Sequence, residues 1–172
     1  MFKLIGVCLT LTACGYIGLT WARIYEKRPQ QLTALEGALQ LLETEIIYTA
    51  TPLQEAMKHV SQRCDPDISE LFRNMAAELE KTEGATAGEA WERAADDFYS
   101  GTALNQRDLH ILKRFGASLG VSDREDQAKH LEMTRSQLRL ASTQAETLSR
   151  KNSTIFKYMG FLSGLFLVLV LY

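Results

Sequence analysis

The chain has 172 residues, 46% of them apolar, with a formal net charge of −2, three prolines and three cysteines. That length fits one domain of ordinary size. The charge balance excludes a protein that holds nucleic acid by bulk electrostatics, because such proteins need a basic surface that displaces counterions. The apolar residues are concentrated at the two ends.

From Leu4 to Ala22 no residue is charged; Lys3 precedes the stretch and Arg23 follows it. At 1.5 Å per residue, such a helix just crosses a hydrocarbon core of roughly 30 Å. A cleaved secretory signal is the rival reading, and Leu11-Thr12-Ala13-Cys14 has the form of a lipoprotein cleavage box with Cys14 as the lipidated residue. The run continues past Cys14 through Tyr16, Ile17, Leu19 and Trp21 and is followed by Arg23, Lys27 and Arg28. Positive charge resists translocation, so a transmembrane helix is the favoured reading and a lipid anchor at Cys14 the alternative.

The middle reads as helices separated by short breaks. Leu32, Leu35, Leu39, Leu42, Ile46 and Thr49 form a helical stripe, with Pro29 placed to start it. Thr51-Pro52 interrupts, since a residue before proline avoids the helical region. Leu53, Ala56, Met57, Val60 and Cys64 make a second stripe. Cys64-Asp65-Pro66-Asp67 is a turn with a new cap. A third stripe is Ile68, Leu71, Phe72, Met75 and Leu79. Gly84 and Gly88 bracket the next break, and Ala90, Trp91, Ala94, Ala95 and Phe98 make the fourth stripe. Asn105 caps a fifth helix with Asp108 three residues on, a variant of the capping box. Its apolar face is Leu109, Leu112, Phe115 and Leu119, and Gly120 stops it.

The last helix starts at Ser122 or Asp123 and carries no proline. Leu131, Thr134, Leu138, Ala141, Ala145 and Leu148 predict a narrow heptad-like seam of mostly small residues. Unbroken to the C-terminus, this helix would be about 70 Å long. Its final stretch, Tyr158 to Tyr172, is uncharged and reaches spanning length when extended back to Ile155 with Lys157 snorkelling. Trp21, Tyr158 and Tyr172 sit where interfacial aromatics belong. Gly160 and Gly164 form a GxxxG pattern that suits helix pairing in a membrane, either within the chain or between copies.

The predicted fold is all-α: a transmembrane helix over 1–22, a cytoplasmic bundle of about six helices over 23–154, and a second transmembrane helix over 155–172. Basic residues flank both spans on the side of the middle, at Arg23, Lys27, Arg28, Arg150, Lys151 and Lys157. That asymmetry places the bundle in the cytoplasm of a two-pass membrane protein.

Little chemistry is offered. His59, His110 and His130 stand alone on different helices, without a second ligand at metal-binding spacing. Cys8 and Cys14 fall in the first span; Cys64, at a turn and without a partnered histidine, is a poor nucleophile. No glycine-rich loop leads into Lys-Ser or Lys-Thr. The pairs Asp96-Asp97 and Glu125-Asp126 are adjacent on helices and point different ways, as on a solvated face. Trp91 with Phe72, Phe98 and Phe115 reads as core rather than as an aromatic box. No catalytic, cofactor-binding or metal-binding residue is assigned, and no cofactor is expected.

Glu26-Lys27-Arg28-Pro29, the run from Leu35 to Thr51-Pro52-Leu53, the segment Leu112 to Gly120 followed by Asp123 and Gln127, and the ending Gly160-Phe161-Leu162-Ser163-Gly164-Leu165 together resemble the stage III sporulation protein AB family of endospore-forming bacteria. That family is itself similar to the cytoplasmic domain of the F-type platform proteins of type II secretion and type IV pilus systems. Leu41-Leu42-Glu43 to Thr51-Pro52-Leu53 resembles the first helix pair of that domain, with Thr51 where glycine is frequent. The resemblance implies a non-enzymatic sporulation protein in the mother-cell membrane around the forespore. It would belong to a channel-like complex and couple a secretion-type ATPase to that assembly. The implied partners are the lipid bilayer, the ATPase and other membrane proteins of the complex, with no nucleic acid; self-association through the spans is left open. A two-span signalling or scaffold protein is the alternative, with almost nothing outside the membrane to sense a ligand.

Overall fold

In a computed structural model, the structure describes residues 26–81, 86–120 and 124–171, apart from the side chains of 124 and 152–171. All regular structure among the described residues is helical. The helix α1 covers 26–43 and runs into a π-helical turn at Thr44–Tyr48. Then follow α2 (Leu53–Arg63), α3 (Pro66–Lys81), α4 (Ala87–Tyr99), α5 (Gln106–Gly116) and α6 (Arg124–Leu171). The described residues divide into two compact units, 30–143 and a second that includes 26–29 and 144–171.

The expected span over 1–22, with Cys8 and Cys14, lies outside the described residues. The backbone of 155–171 is helical as the end of α6, but its side chains, including the Gly160–Gly164 pattern, lie outside the description. Among the described residues no helix is long and apolar enough to cross a membrane.

In the unit 30–143, each predicted stripe supplies the core. Leu32, Leu35, Leu39 and Leu42 of α1 are fully buried, as are Met57 and Val60 of α2 and Ile68, Leu71, Phe72 and Met75 of α3. Trp91, Ala94, Leu112 and Leu138 join them. Consecutive helices pack on one another, α2 on α3, α3 on α4 and α4 on α5. The α4–α5 pair is antiparallel and close. Gly88 faces the Gly116 carbonyl, and the Trp91 indole N–H donates to the Leu112 carbonyl at 2.7 Å. Trp91 meets Phe72 and Phe115 edge-on, with ring centres 5.9 and 5.1 Å apart. The aromatic set is core, as its helical spacing suggested.

α1 and α6 also run antiparallel. Thr33 bonds Ser142 at 2.9 Å, the Arg139 guanidinium donates to Glu36 at 2.9 Å, and that of Arg135 to Glu43 at 2.6 Å. The Gln31 side-chain oxygen accepts from the Ala103 amide, tying α1 to the α4–α5 turn.

Local signals set the helix starts. Asn105 and Asp108 form the reciprocal capping box expected of them. Thr86 and Glu89 form a second box, which starts α4 one residue before Gly88; Gly88 is therefore inside a helix and not in a break. Asp65 accepts from the Asp67 amide at 2.9 Å and opens α3.

Four further expectations need correction. The chain is already helical at residue 26, so Pro29 does not start α1; it lies buried within it. Thr49 is exposed, because the π turn has rotated the chain out of the α-helical register. α5 ends at Gly116 rather than Gly120; residues 117–120 are a turn that closes on Gly120 at φ +77°. The seam of α6 is Leu131, Thr134, Leu138, Ser142, Ala145 and Ser149, while Leu148 is 57% exposed. Leu131 to Ser142 and Leu138 to Ser149 are steps of eleven residues. An eleven-residue step follows a nearly straight helix, whereas a heptad seam requires supercoiling.

Candidate functional site

The one place where the described backbone departs from ordinary helix and turn geometry is the corner between α1 and α2. The π turn admits an extra residue into the last turn of α1. The Thr49 hydroxyl then donates to the Glu45 carbonyl at 2.7 Å, and the Thr51 amide to the same carbonyl at 2.9 Å. Between them Ala50 takes φ +55°, a left-handed conformation that costs a residue with a Cβ about 1 kcal/mol or more. Pro52, with no N–H to satisfy, then leads into α2, and its carbonyl accepts the first bond of that helix from Ala56.

A buried carboxylate holds this corner. Glu45 accepts from the Thr51 hydroxyl at 2.9 Å and from Nδ1 of His59 at 3.1 Å, and Arg63 lies 3.4 Å from its other oxygen. His59 and Arg63 are one turn apart on α2, so they reach the same carboxylate. The hydrogen bonds from His59 and Thr51 hold the Glu45 carboxyl below the usual carboxylate range, helped by the positive charges of His59 and Arg63 and opposed by burial. Beside this cluster lies a cleft of about 280 Å³ lined by Ile46, Ala50, Thr51, Pro52, Leu53, Gly120 and Gln127.

The residues singled out in the sequence fall elsewhere or into structural roles. His59 belongs to the Glu45 cluster; His110 and His130 are exposed and distant in sequence from it. Among the described residues no group of histidine, cysteine and carboxylate side chains is placed to hold a metal ion. Cys64 is half-buried, and burial pushes its thiol up, away from the nucleophilic thiolate. Asp96 accepts from Lys113 at 2.7 Å, and Lys113 also reaches Glu92 at 3.0 Å. Glu125 and Asp126 share Lys129 at 3.3 and 3.4 Å. Both carboxylate pairs thus sit on solvated faces, with lysine counterions at Asp96, Glu125 and Asp126.

Sequence reasoning passed over Glu45. The available signal was a carboxylate lodged between Leu42 and Ile46 of an apolar stripe, opposite a His-Arg pair spaced by four residues.

Fold and corner define a class: a helical-bundle protein whose most specialised local geometry is an interhelical corner with an adjoining cleft. The family model for stage III sporulation protein AB matches residues 3–172, and the chain belongs to that family. It is 35% identical over 171 residues to the stage III sporulation protein AB of Bacillus subtilis (strain 168), covering 99% of each chain. A solved structure of a stage III sporulation protein AB superposes with a TM-score of 0.67 at 32% identity, covering 72% of this chain and 97% of the other. The family expected from the sequence is thereby the family found, and the chain is a sporulation protein.

Proposed function

We propose that this chain is a non-enzymatic platform in a sporulation channel-like complex, coupling a cytoplasmic secretion-type ATPase to the membrane assembly. The observation that carries the reading is the order of the chain: a helical bundle set between two charge-free apolar ends, Leu4–Ala22 and Tyr158–Tyr172. Each end is long enough to cross a bilayer, alone or extended by a few residues. Basic residues lie on the bundle side of both ends, which favours a cytoplasmic bundle. In that arrangement the bundle is fixed at the membrane and offers rigid helix faces to a soluble partner. The absence of a glycine-rich phosphate loop from the sequence fits a partner, rather than this chain, as the nucleotide-hydrolysing component.

Topology is the test. Cys8, Cys14 and Cys64 are replaced by serine, and exposed Gly101 by cysteine, in vegetative cells that express the chain together with the secretion-type ATPase and are treated with a membrane-impermeant maleimide. Protection until the membrane is permeabilised, followed by co-purification with the secretion-type ATPase, is the expected result. Labelling in intact cells would place the bundle outside and remove ATPase docking from consideration.

A further inference from the structure

Building on the platform reading above, we propose that the solvent face of α5, through Arg107 and Arg114, is a docking surface for a protein partner that presents two carboxylates about 10 Å apart.

Pairing singles out these two arginines. Arg63, Arg93, Arg135 and Arg139 each meet a carboxylate within the bundle. Arg107 and Arg114 are exposed, and among the described residues neither guanidinium has a hydrogen-bond or ion-pair partner. They stand seven residues apart, about two turns of helix, and so share one face with exposed His110. That face points away from the buried one, which holds Asp108, Leu112 and Phe115. The acids of the neighbouring helix do not neutralise it. α4 offers Glu92 and Asp96 to α5, and Lys113 takes both, at 3.0 and 2.7 Å. Arg114 follows Lys113 by one residue and so stands about 100° further round the helix. Asp108, the one acid of α5, is buried and spent on the capping box.

The position of Arg107 is unfavourable for the helix itself. It is the second residue of α5, in the first turn, where the helix dipole presents its positive end. A cation there is disfavoured, so folding alone does not account for it. A carboxylate arriving from a partner would be attracted by the guanidinium and by the dipole together.

Chemistry selects the occupant. A guanidinium offers a planar fork of N–H donors that matches a carboxylate in a bidentate pair, and a rigid helix fixes the spacing of two such forks. Two arginines are too few to hold nucleic acid, whose affinity is summed over many phosphate contacts. A bilayer contact calls for exposed apolar side chains beside the cations, or for a cluster of roughly four to eight cations. Among the described residues the exposed large apolar side chains are Tyr48, Met133, Leu140 and Leu148, none of them on α5.

The test measures binding of the full chain, in phosphatidylcholine nanodiscs, to the purified secretion-type ATPase. Arg107→Glu with Arg114→Glu reverses the face. Arg73→Glu is the control: it makes the same charge change at an exposed α3 arginine, on the side where Glu80 meets Lys58 of α2. The reversal is expected to weaken binding roughly tenfold or more, with the control within about twofold of wild type. Wild-type binding should also fall as salt is raised from about 50 to 300 mM. Arg107→Glu alone should melt no lower than wild type while weakening binding, a split that a purely structural residue would not give. If wild type binds and the reversal variant binds equally well, or if Arg73→Glu loses as much, the docking face is refuted and the platform reading stands. If wild type does not bind, both are refuted. A loss that appears only in nanodiscs containing phosphatidylglycerol would make the face a lipid contact and overturn the proposal.

Discussion

Replacing Gly116 with alanine adds a single methyl group at the tightest point of the α4–α5 contact. Its Cβ would stand 2.9 Å from Cγ and 3.2 Å from Cβ of Trp91, and closer still to Cδ1. Trp91 has no room to yield. It is fully buried, held edge-on between Phe72 and Phe115, and bonded through its indole to the Leu112 carbonyl. Overpacking of this kind costs about 1–3 kcal/mol. Dragging the indole off its carbonyl adds about 1–3 kcal/mol for a buried donor left unpaired. Alanine's better helix propensity returns at most about 1 kcal/mol, and less at a helix end. The net loss is about 1–6 kcal/mol, with a midpoint of about 3, a large share of the roughly 5–15 kcal/mol that holds a domain together. At roughly 3–5 °C per kcal/mol, the melting temperature followed by far-UV circular dichroism should drop by about 10 °C. Trp91→Ala removes the clashing Cγ and Cδ1, so the double variant should lose less than the sum of the singles by more than about 0.5 kcal/mol. A Gly116→Ala protein melting within about 2 °C of wild type would refute the packing described for this helix pair.

Glu45 gives the fold an acid-sensitive element. Its folded pKa lies below its unfolded value, so its stabilisation is complete above the unfolded value and lost as pH falls through the folded one. Urea denaturation between about pH 5 and pH 3 should show wild type losing more stability than Glu45→Gln, and parallel acid limbs would count against the clamp. The corrected seam of α6 makes a second prediction. Leu138→Ala should cost about 2–5 kcal/mol, because Leu138 is fully buried, whereas Leu148→Ala should change stability by less than about 0.5 kcal/mol. Equal losses in chemical denaturation would restore the heptad seam.

Apolar periodicity made most of the bundle legible. On α3 and α4, Ile68, Leu71, Phe72, Met75, Ala90, Trp91 and Phe98 recur at helical spacing, and every one is buried. Asn105 with Asp108 was legible for a different reason, since both halves of a capping box lie within four residues of chain. Thr86 with Glu89 obeys the same rule but was masked by the flanking glycines, Gly84 and Gly88. The corner was not legible. A π turn has no residue signature of its own; it becomes favourable here because Glu45 finds His59 and Arg63, fourteen and eighteen residues downstream. The α6 seam failed for a related reason. Serine and alanine burial is decided by the helix opposite, as Thr33 decides for Ser142, and small residues carry too weak a pattern to choose between two periods.

The pairing of α1 with α6 sets an order in time. Helices α2 to α5 find partners among their neighbours in sequence, but Thr33 must meet Ser142, 109 residues away, and Glu36 must meet Arg139 at a separation of 103. A ribosome adding about 5–20 residues per second leaves α1 without this partner for roughly 5–20 s. Closing so long a loop is entropically costly until the intervening helices have shortened the path. The first helix of the bundle is thus among the last to be fully paired, and its Thr33, Glu36 and Glu43 wait for α6 to emerge.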